Sequence, residues 1–177
     1  MNYLAHIFLS GDDRRVQIGN FVGDAVKGRT YENYPSGFRE GILLHREIDD
    51  YTDHHLVVRE AIDMLRGDFG RYSGRSLRWF ACSFYGALVL NYRYLPERLK
   101  GFLWHFILTN RLVRYASLSG IKRSLEIMVE YKNLGVDPEA AIVFFERNQD
   151  RLQELFDRFL PDVQEKCRLM LEADISC

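Results

Sequence analysis

Long stretches of this chain repeat apolar residues every three or four positions, and only four prolines interrupt its 177 residues. That spacing gathers the apolar side chains into one stripe per α-helix, and each stripe must be buried against another helix. The expected fold is therefore all-α, a single-domain helical bundle covering residues 1–177. Capping and breaking signals divide the chain. An opening element covers Tyr3 to Leu9, Ser10-Gly11-Asp12-Asp13 turns the chain, and a second helix runs from Arg15 to Val26 and closes at Gly28. Pro35-Ser36-Gly37 precedes a helix from Phe38 to about Asp50, and Thr52 or Asp53 is placed to cap the next, over Leu56 to Leu65. Gly67, Gly70 and Gly74 make residues 67–76 an irregular connector. Helices resume over Leu77 to Asn91, Pro96 to Thr109, Ile121 to Tyr131, Pro138 to Leu160 and Asp162 to Leu171. In the later part Leu152, Leu155, Phe156 and Phe159 form one stripe, with Arg151, Glu154, Asp157 and Arg158 on the wet side.

Composition narrows the function classes. Charged residues make up 28% and the formal net charge is -1, which carries no polybasic signature of nucleic-acid binding. No run reaches about 18 uninterrupted apolar residues, so no membrane span is expected. The start MNYLAHIFLSGDDRR has too short an apolar run for a signal peptide. Cys82, Cys167 and Cys177 are odd in number, widely spaced and without a CxxC pair, which argues against a disulfide framework or a zinc knuckle. A reducing, cytoplasmic setting is the simplest reading, with Cys82 a buried thiol.

Between residues 20 and 55 the polar residues stop behaving as solvent cover. In ILLHREIDDYTD, His45, Asp49 and Asp53 follow one another at intervals of four, so an imidazole and two carboxylates project from one helix face. Such a strip can hold a divalent ion, and its mixture of nitrogen and oxygen suits Mn, Fe or Zn, whereas Mg prefers mostly oxygen. Asp49 and Asp50 are unfavourable near a helix C-terminus, so either a cation or ion pairs from Arg39 or Arg46 should offset them. His55 is a further ligand or proton-transfer candidate. In GNFVGDAVKG, Asn20, Asp24 and Lys27 could share one side of a helix, with Asp24 either a metal ligand or the surface partner of Lys27. His6 could be a hydrogen-bonded structural residue or could complete a site by docking against the His45 helix. His105 in GFLWHFIL reads as packing. Arg66, Arg71, Arg75 and Arg78 face only Asp68 in the local charge balance and could meet a phosphate or an acidic protein surface.

The stretches MNYLAH (1–6), IGNFVGDAVKG (18–28), GILLHREIDDYTDHH (41–55) and GRYSG (70–74), followed by YRYLPERL (92–99) and YASLSGI (115–121), resemble the acyl-carrier-protein phosphodiesterase family, a divergent relative of the HD metal-dependent phosphohydrolases. The resemblance implies an HD-type helical fold and removal of 4'-phosphopantetheine from the serine of holo-acyl-carrier protein with a divalent ion, manganese first, magnesium or iron otherwise. It implies Asp24, His45, Asp49 and Asp53 as metal ligands. His55 would transfer a proton, Lys27 or Arg46 would offset transition-state charge, and the arginines at 66, 71, 75 and 78 are candidates for partner binding.

One departure stands out. After GRYSG the family presents a helix with a D-x-x-x-DH pattern, whereas here Gly74 leads directly into RSLRWFA, with no aspartate or histidine between residues 69 and 104. This reads as an internal deletion of about twenty residues, a whole helix of the bundle. Its loss would expose apolar surface that rearrangement or a homodimer could hide, and could leave a homologue that binds the carrier protein without hydrolysing it. A phosphohydrolase of a different small substrate is the remaining enzymatic reading.

Overall fold

The computed structural model describes residues 3–65, 84–114, 117–132 and 137–175. Ten α-helices account for most of them: α1 (Tyr3–Phe8), α2 (Arg14–Val22), α3 (Ser36–His54), α4 (Leu56–Leu65), α5 (84–90), α6 (Glu97–Leu108), α7 (Arg111–Arg114), α8 (Leu118–Lys132), α9 (Pro138–Arg147) and α10 (Gln149–Ile175). The described residues contain no strand, so the all-α expectation holds. None of their helices is long and apolar enough to cross a membrane.

Helix α3 organises the molecule because two of its faces are apolar. Phe38 and Ile42 enter a core shared with α1, α2, α5, α6 and α7, centred on Phe21, Phe84, Leu103 and Phe106. Leu44 and Ile48 enter a second core with Leu9, Val16, Val57 and the α10 residues Leu155, Phe159 and Val163. Around the face that begins with Phe38 and Ile42, the next residues are His45 and Asp49, so an apolar stripe becomes polar halfway along the helix.

Helix α2 crosses α3 with no space for side chains between them. A Cβ on Gly41 would lie 2.1 Å from the Val16 carbonyl oxygen, and one on Gly19 would lie 2.2 Å from that of Phe38. This near-backbone contact brings Asn20 and the turn after it against α3.

Several boundaries differ from the sequence expectation. Helix α2 ends at Val22, because residues Gly23–Ala25 tighten into a single 3-10 turn. Helix α3 runs through Thr52 and Asp53 to His54, so neither caps α4; that role falls to His55, whose Nδ1 accepts from the Val57 amide at 3.2 Å. Pro161 lies inside α10 rather than before it, and the break falls at Asn148, whose side-chain amide donates to the Phe144 carbonyl at 2.8 Å. Burial of Leu155, Phe159 and Val163 along one side offsets the hydrogen bond that Pro161 removes. His105, expected in packing, is exposed on α6. The connector at 67–76, Cys82 and Cys177 lie outside the described residues.

Candidate metal centre

The short helix α1 is docked by its apolar residues Leu4 and Ile7, 2% and 0% exposed, and this docking fixes His6 against α3. The His6 and His45 rings stack with centroids 4.0 Å apart and an interplanar angle of 18°. One turn beyond His45, the Asp49 carboxylate reaches both rings: Oδ2 lies 3.3 Å from His45 Nε2, and Oδ1 lies 3.2 Å from His6 Nε2. One ligand atom from each of the three residues falls within a 4.8 Å group. The histidines are buried, whereas the Asp49 side chain is 41% exposed, so the group opens to solvent on the carboxylate side.

Asn20 holds the pair in place. Its backbone carbonyl accepts from His45 Nδ1 at 2.8 Å, with its side-chain oxygen at 3.1 Å from the same atom. Its side-chain amide donates to the His6 carbonyl at 3.1 Å and to Ser10 Oγ at 2.8 Å, and Ser10 Oγ in turn donates to the His6 carbonyl at 2.7 Å. Because a carbonyl can only accept, the proton of neutral His45 sits on Nδ1, and the Nε2 lone pair is left facing Asp49. Gly23 completes the enclosure: a Cβ there would lie 2.5 Å from Cβ and Cγ of His45.

The electrostatics favour an unprotonated acceptor set. Burial, and then the charge of His6, pull the His45 pKa down to about 4, against the opposing pull of Asp49. For Asp49, burial would raise the pKa, but the His6 ring facing it at 3.2 Å outweighs that and holds the carboxyl well below the usual carboxylate range. The His45 lone pair and the Asp49 carboxylate thus point at each other with no proton between them. Neither ring nitrogen of His6 makes a hydrogen bond, although the residue is only 1% exposed. Leaving such a buried polar atom unpaired costs about 1–3 kcal/mol, which a ligand accepting its lone pair would recover. Two imidazole nitrogens and a carboxylate oxygen can hold Mn, Fe or Zn.

The other candidates are distributed as follows. Asp24, in the 3-10 turn, is near enough for its charge to act on His45, yet its side chain is 66% exposed and pairs with Lys27 Nζ at 3.5 Å. Arg46 is spent on the backbone: it donates to the carbonyls of Val26 and Gly28 at 3.1 and 2.7 Å and covers the Tyr31 ring. Arg39 turns to the Tyr34 carbonyl at 3.4 Å, so neither arginine offsets Asp49 or Asp50; Asp50 pairs with His54 at 3.4 Å. Asp53 is exposed on the last turn of α3 and is not in the ligand group. His55 meets Asp162 of α10 at 3.2 Å and packs on the Phe159 and Tyr51 rings. Arg66, Arg71, Arg75 and Arg78 lie outside the described residues. Cys167 is buried, and burial pushes its thiol up to about 11, away from nucleophilic chemistry.

The model of the family described as acyl carrier protein phosphodiesterase matches residues 1–77 and 64–163, which include every residue of this centre. The chain belongs to the acyl carrier protein phosphodiesterase family. A relative of that name from Yersinia pestis is 27% identical, with 95% of this chain and 98% of the relative covered. One from Photorhabdus laumondii is 27% identical, with 94% of each covered. One from Salmonella agona is 38% identical over 77 residues, 44% of this chain and 40% of the relative. The alignment with the Yersinia member spans 192 residues, more than the 177 of this chain, so that phosphodiesterase relative has residues with no counterpart here. The two family matches overlap at 64–77, the segment that contains Gly74, where the deletion is expected from the sequence. No solved structure matches the chain.

Proposed function

We propose that this chain hydrolyses the phosphodiester between 4'-phosphopantetheine and the serine of holo-acyl-carrier protein, with a divalent metal held by His6, His45 and Asp49. The observation that carries the metal reading is the convergence of two imidazole nitrogens and a carboxylate oxygen within 4.8 Å, one of them on a buried histidine whose ring nitrogens make no hydrogen bond. Family membership supplies the substrate class. Manganese or iron fits the two-nitrogen donor set better than magnesium. A bound ion would supply Lewis-acid polarisation of a phosphoryl oxygen and a more acidic water.

The remaining work falls to the protein. Asn20 fixes the His45 tautomer and ties both histidine helices together. Asp24, near enough for its charge to act on His45, would serve as an additional ligand, and exposed Lys27 beside it can turn to a phosphoryl oxygen, where positive charge favours the transition state. Arg46 keeps the backbone carrying Asp24 and Lys27 in place. His55 is left with a supporting role, through its contact with α10.

A carrier-binding homologue that does not hydrolyse is the second reading, favoured by the residues that the Yersinia relative has and this chain lacks. Mass analysis of holo-acyl-carrier protein incubated with the purified chain and manganese separates the two. Loss of the phosphopantetheine mass with wild type but not with Asp49→Ala supports hydrolysis. An unchanged mass with wild type defeats it, and electron paramagnetic resonance of added manganese then reports independently whether the metal centre exists.

A further inference from the structure

A carrier-linked diester makes a demand on the surface around the site. Its phosphorus is one oxygen atom away from the serine side-chain carbon, so the carrier's own polypeptide must come to rest on the enzyme close to the metal centre. The inference below rests on the hydrolase reading for the identity of that partner.

Formal net charge is only -1, but charge is divided unevenly along the fold. Residues 84–114 contain Arg93, Arg98, Lys100, Arg111 and Arg114 against one carboxylate, Glu97, which is taken by Lys100 at 2.5 Å. The four arginines form no ion pair with the described residues. Two lie over rings instead, Arg93 on Tyr94 at 4.6 Å and Arg111 on Phe102 at 5.5 Å. By contrast, the α10 cations Arg151, Arg158, Lys166 and Arg168 are all matched by glutamates of α3, α4 or α10 itself.

The same region exposes large apolar side chains. Leu99, Leu103 and Phe106 bury one face of α6, and the opposite face presents Trp104, 52% exposed, and Leu108, 81% exposed. Arg98 lies on that outer face, and α7 follows with Arg111 and exposed Arg114. A central tryptophan with arginines around it is the composition that dominates binding energy at protein interfaces. Helix α6 itself is tied on its inner side to α1, which carries His6: the Tyr3 ring packs on Phe102 and Phe106 at 6.4 and 5.8 Å, one turn before His6.

We propose that the outer face of α6, continued by α7, seats an acidic protein partner, the carrier protein, with Trp104 and Leu108 as the apolar centre and Arg98, Arg111 and Arg114 as the charged rim. Unpaired guanidinium groups steer and orient an acidic surface at little desolvation cost while they stay at the rim.

The test is binding and turnover of holo-acyl-carrier protein by the full chain loaded with manganese. The double variant Arg98→Glu, Arg114→Glu is expected to weaken binding about a hundredfold at low salt and to raise KM, with kcat and manganese uptake unchanged. Trp104→Ala should weaken binding about tenfold. Arg147→Glu on α9 makes one such charge reversal elsewhere and should leave binding as in wild type. Unaltered binding and KM in the double variant would overturn the docking assignment and leave the hydrolase reading standing. Binding that needs the arginines but yields no cleavage would remove the hydrolase reading and keep the docking surface. A wild-type dimer in sedimentation that Trp104→Ala splits, with carrier binding intact, would give this face to a second copy of the chain and overturn the proposal.

Discussion

The α1–α3 region and the α9–α10 pair handle polar residues in opposite ways. Among the described residues, every buried polar side chain, namely His6, Ser10, Gln17, Asn20 and His45, belongs to the first region or its turns. Charges on α10 are exposed and matched by neighbours, as in Arg168 with Glu165 and Glu172. Buried polar groups are costly unless paired, so a fold without a site has no physical reason to concentrate them on two crossing helices. The α9–α10 pair shows what stability alone requires, and the first region shows what is added for chemistry.

The strongest way to break that contrast is at the α2–α3 crossing. Gly41→Ala puts a Cβ into the Val16 carbonyl oxygen and the Asn20 nitrogen, contacts that backbone cannot yield without moving the helices apart. We expect a loss of about 3 kcal/mol in chemical denaturation together with loss of manganese binding. A stable Gly41→Ala protein with normal metal uptake would mean that the crossing does not position the site.

Acid provides the next test, on metal-free protein. The folded pKa of His45 is about 4 against an unperturbed 6.5, so the unfolded chain binds the proton first as pH falls. Stability from this group is therefore complete above pH 6.5 and declines between 6.5 and about 4, by on the order of 2–3 kcal/mol. Asp49, whose pKa is lowered, adds a further loss only below its unfolded value of 3.8. In His45→Asn the decline through the upper window should flatten in pH-dependent thermal unfolding. An unchanged slope would show that His45 does not set the acid response.

The helical class and the His45–Asp49 pair were legible in the sequence because both follow from a period of 3.6 residues. The apolar stripe of α10 was legible for the same reason: Leu155 and Phe159 are buried as its pattern requires. The placement of His6 was not, since a histidine near an apolar start can be either structural or a ligand until a tertiary contact of α1 with α3 decides which. The roles of Asn20 and Ser10 were equally hidden, because they depend on hydrogen bonds across the α1–α2–α3 junction. Pro161 misled in the opposite direction: local propensity called for a stop, and burial on α10 overrode it.

Asn20 offers a smaller and more selective perturbation. Asn20→Ala keeps the backbone carbonyl for His45 Nδ1 but removes the amide that ties the His6 carbonyl and Ser10. We expect manganese affinity to fall about tenfold to a hundredfold by calorimetry, the range for groups that orient metal ligands. Asn20→Asp retains an acceptor for His45 but also loses the donor to the His6 carbonyl, so it should not recover affinity. Equal affinities for Asn20→Ala and wild type would reduce Asn20 to a packing residue.

The smallest effect is expected on the other side of the comparison, and it is as informative as the largest. Arg168 bonds Glu165 and Glu172 of its own helix at 2.7 and 2.6 Å, a geometry that looks strong and raises its pKa. All three side chains are more than half exposed, so water and salt screen the attraction, and ordering three long side chains opposes it. Arg168→Ala should leave both the thermal midpoint and manganese affinity at their wild-type values, in low and in physiological salt. A midpoint loss as large as that of Asn20→Ala would mean that surface pairing on α10 stabilises this fold as much as the buried network does, and the two regions would no longer differ in kind.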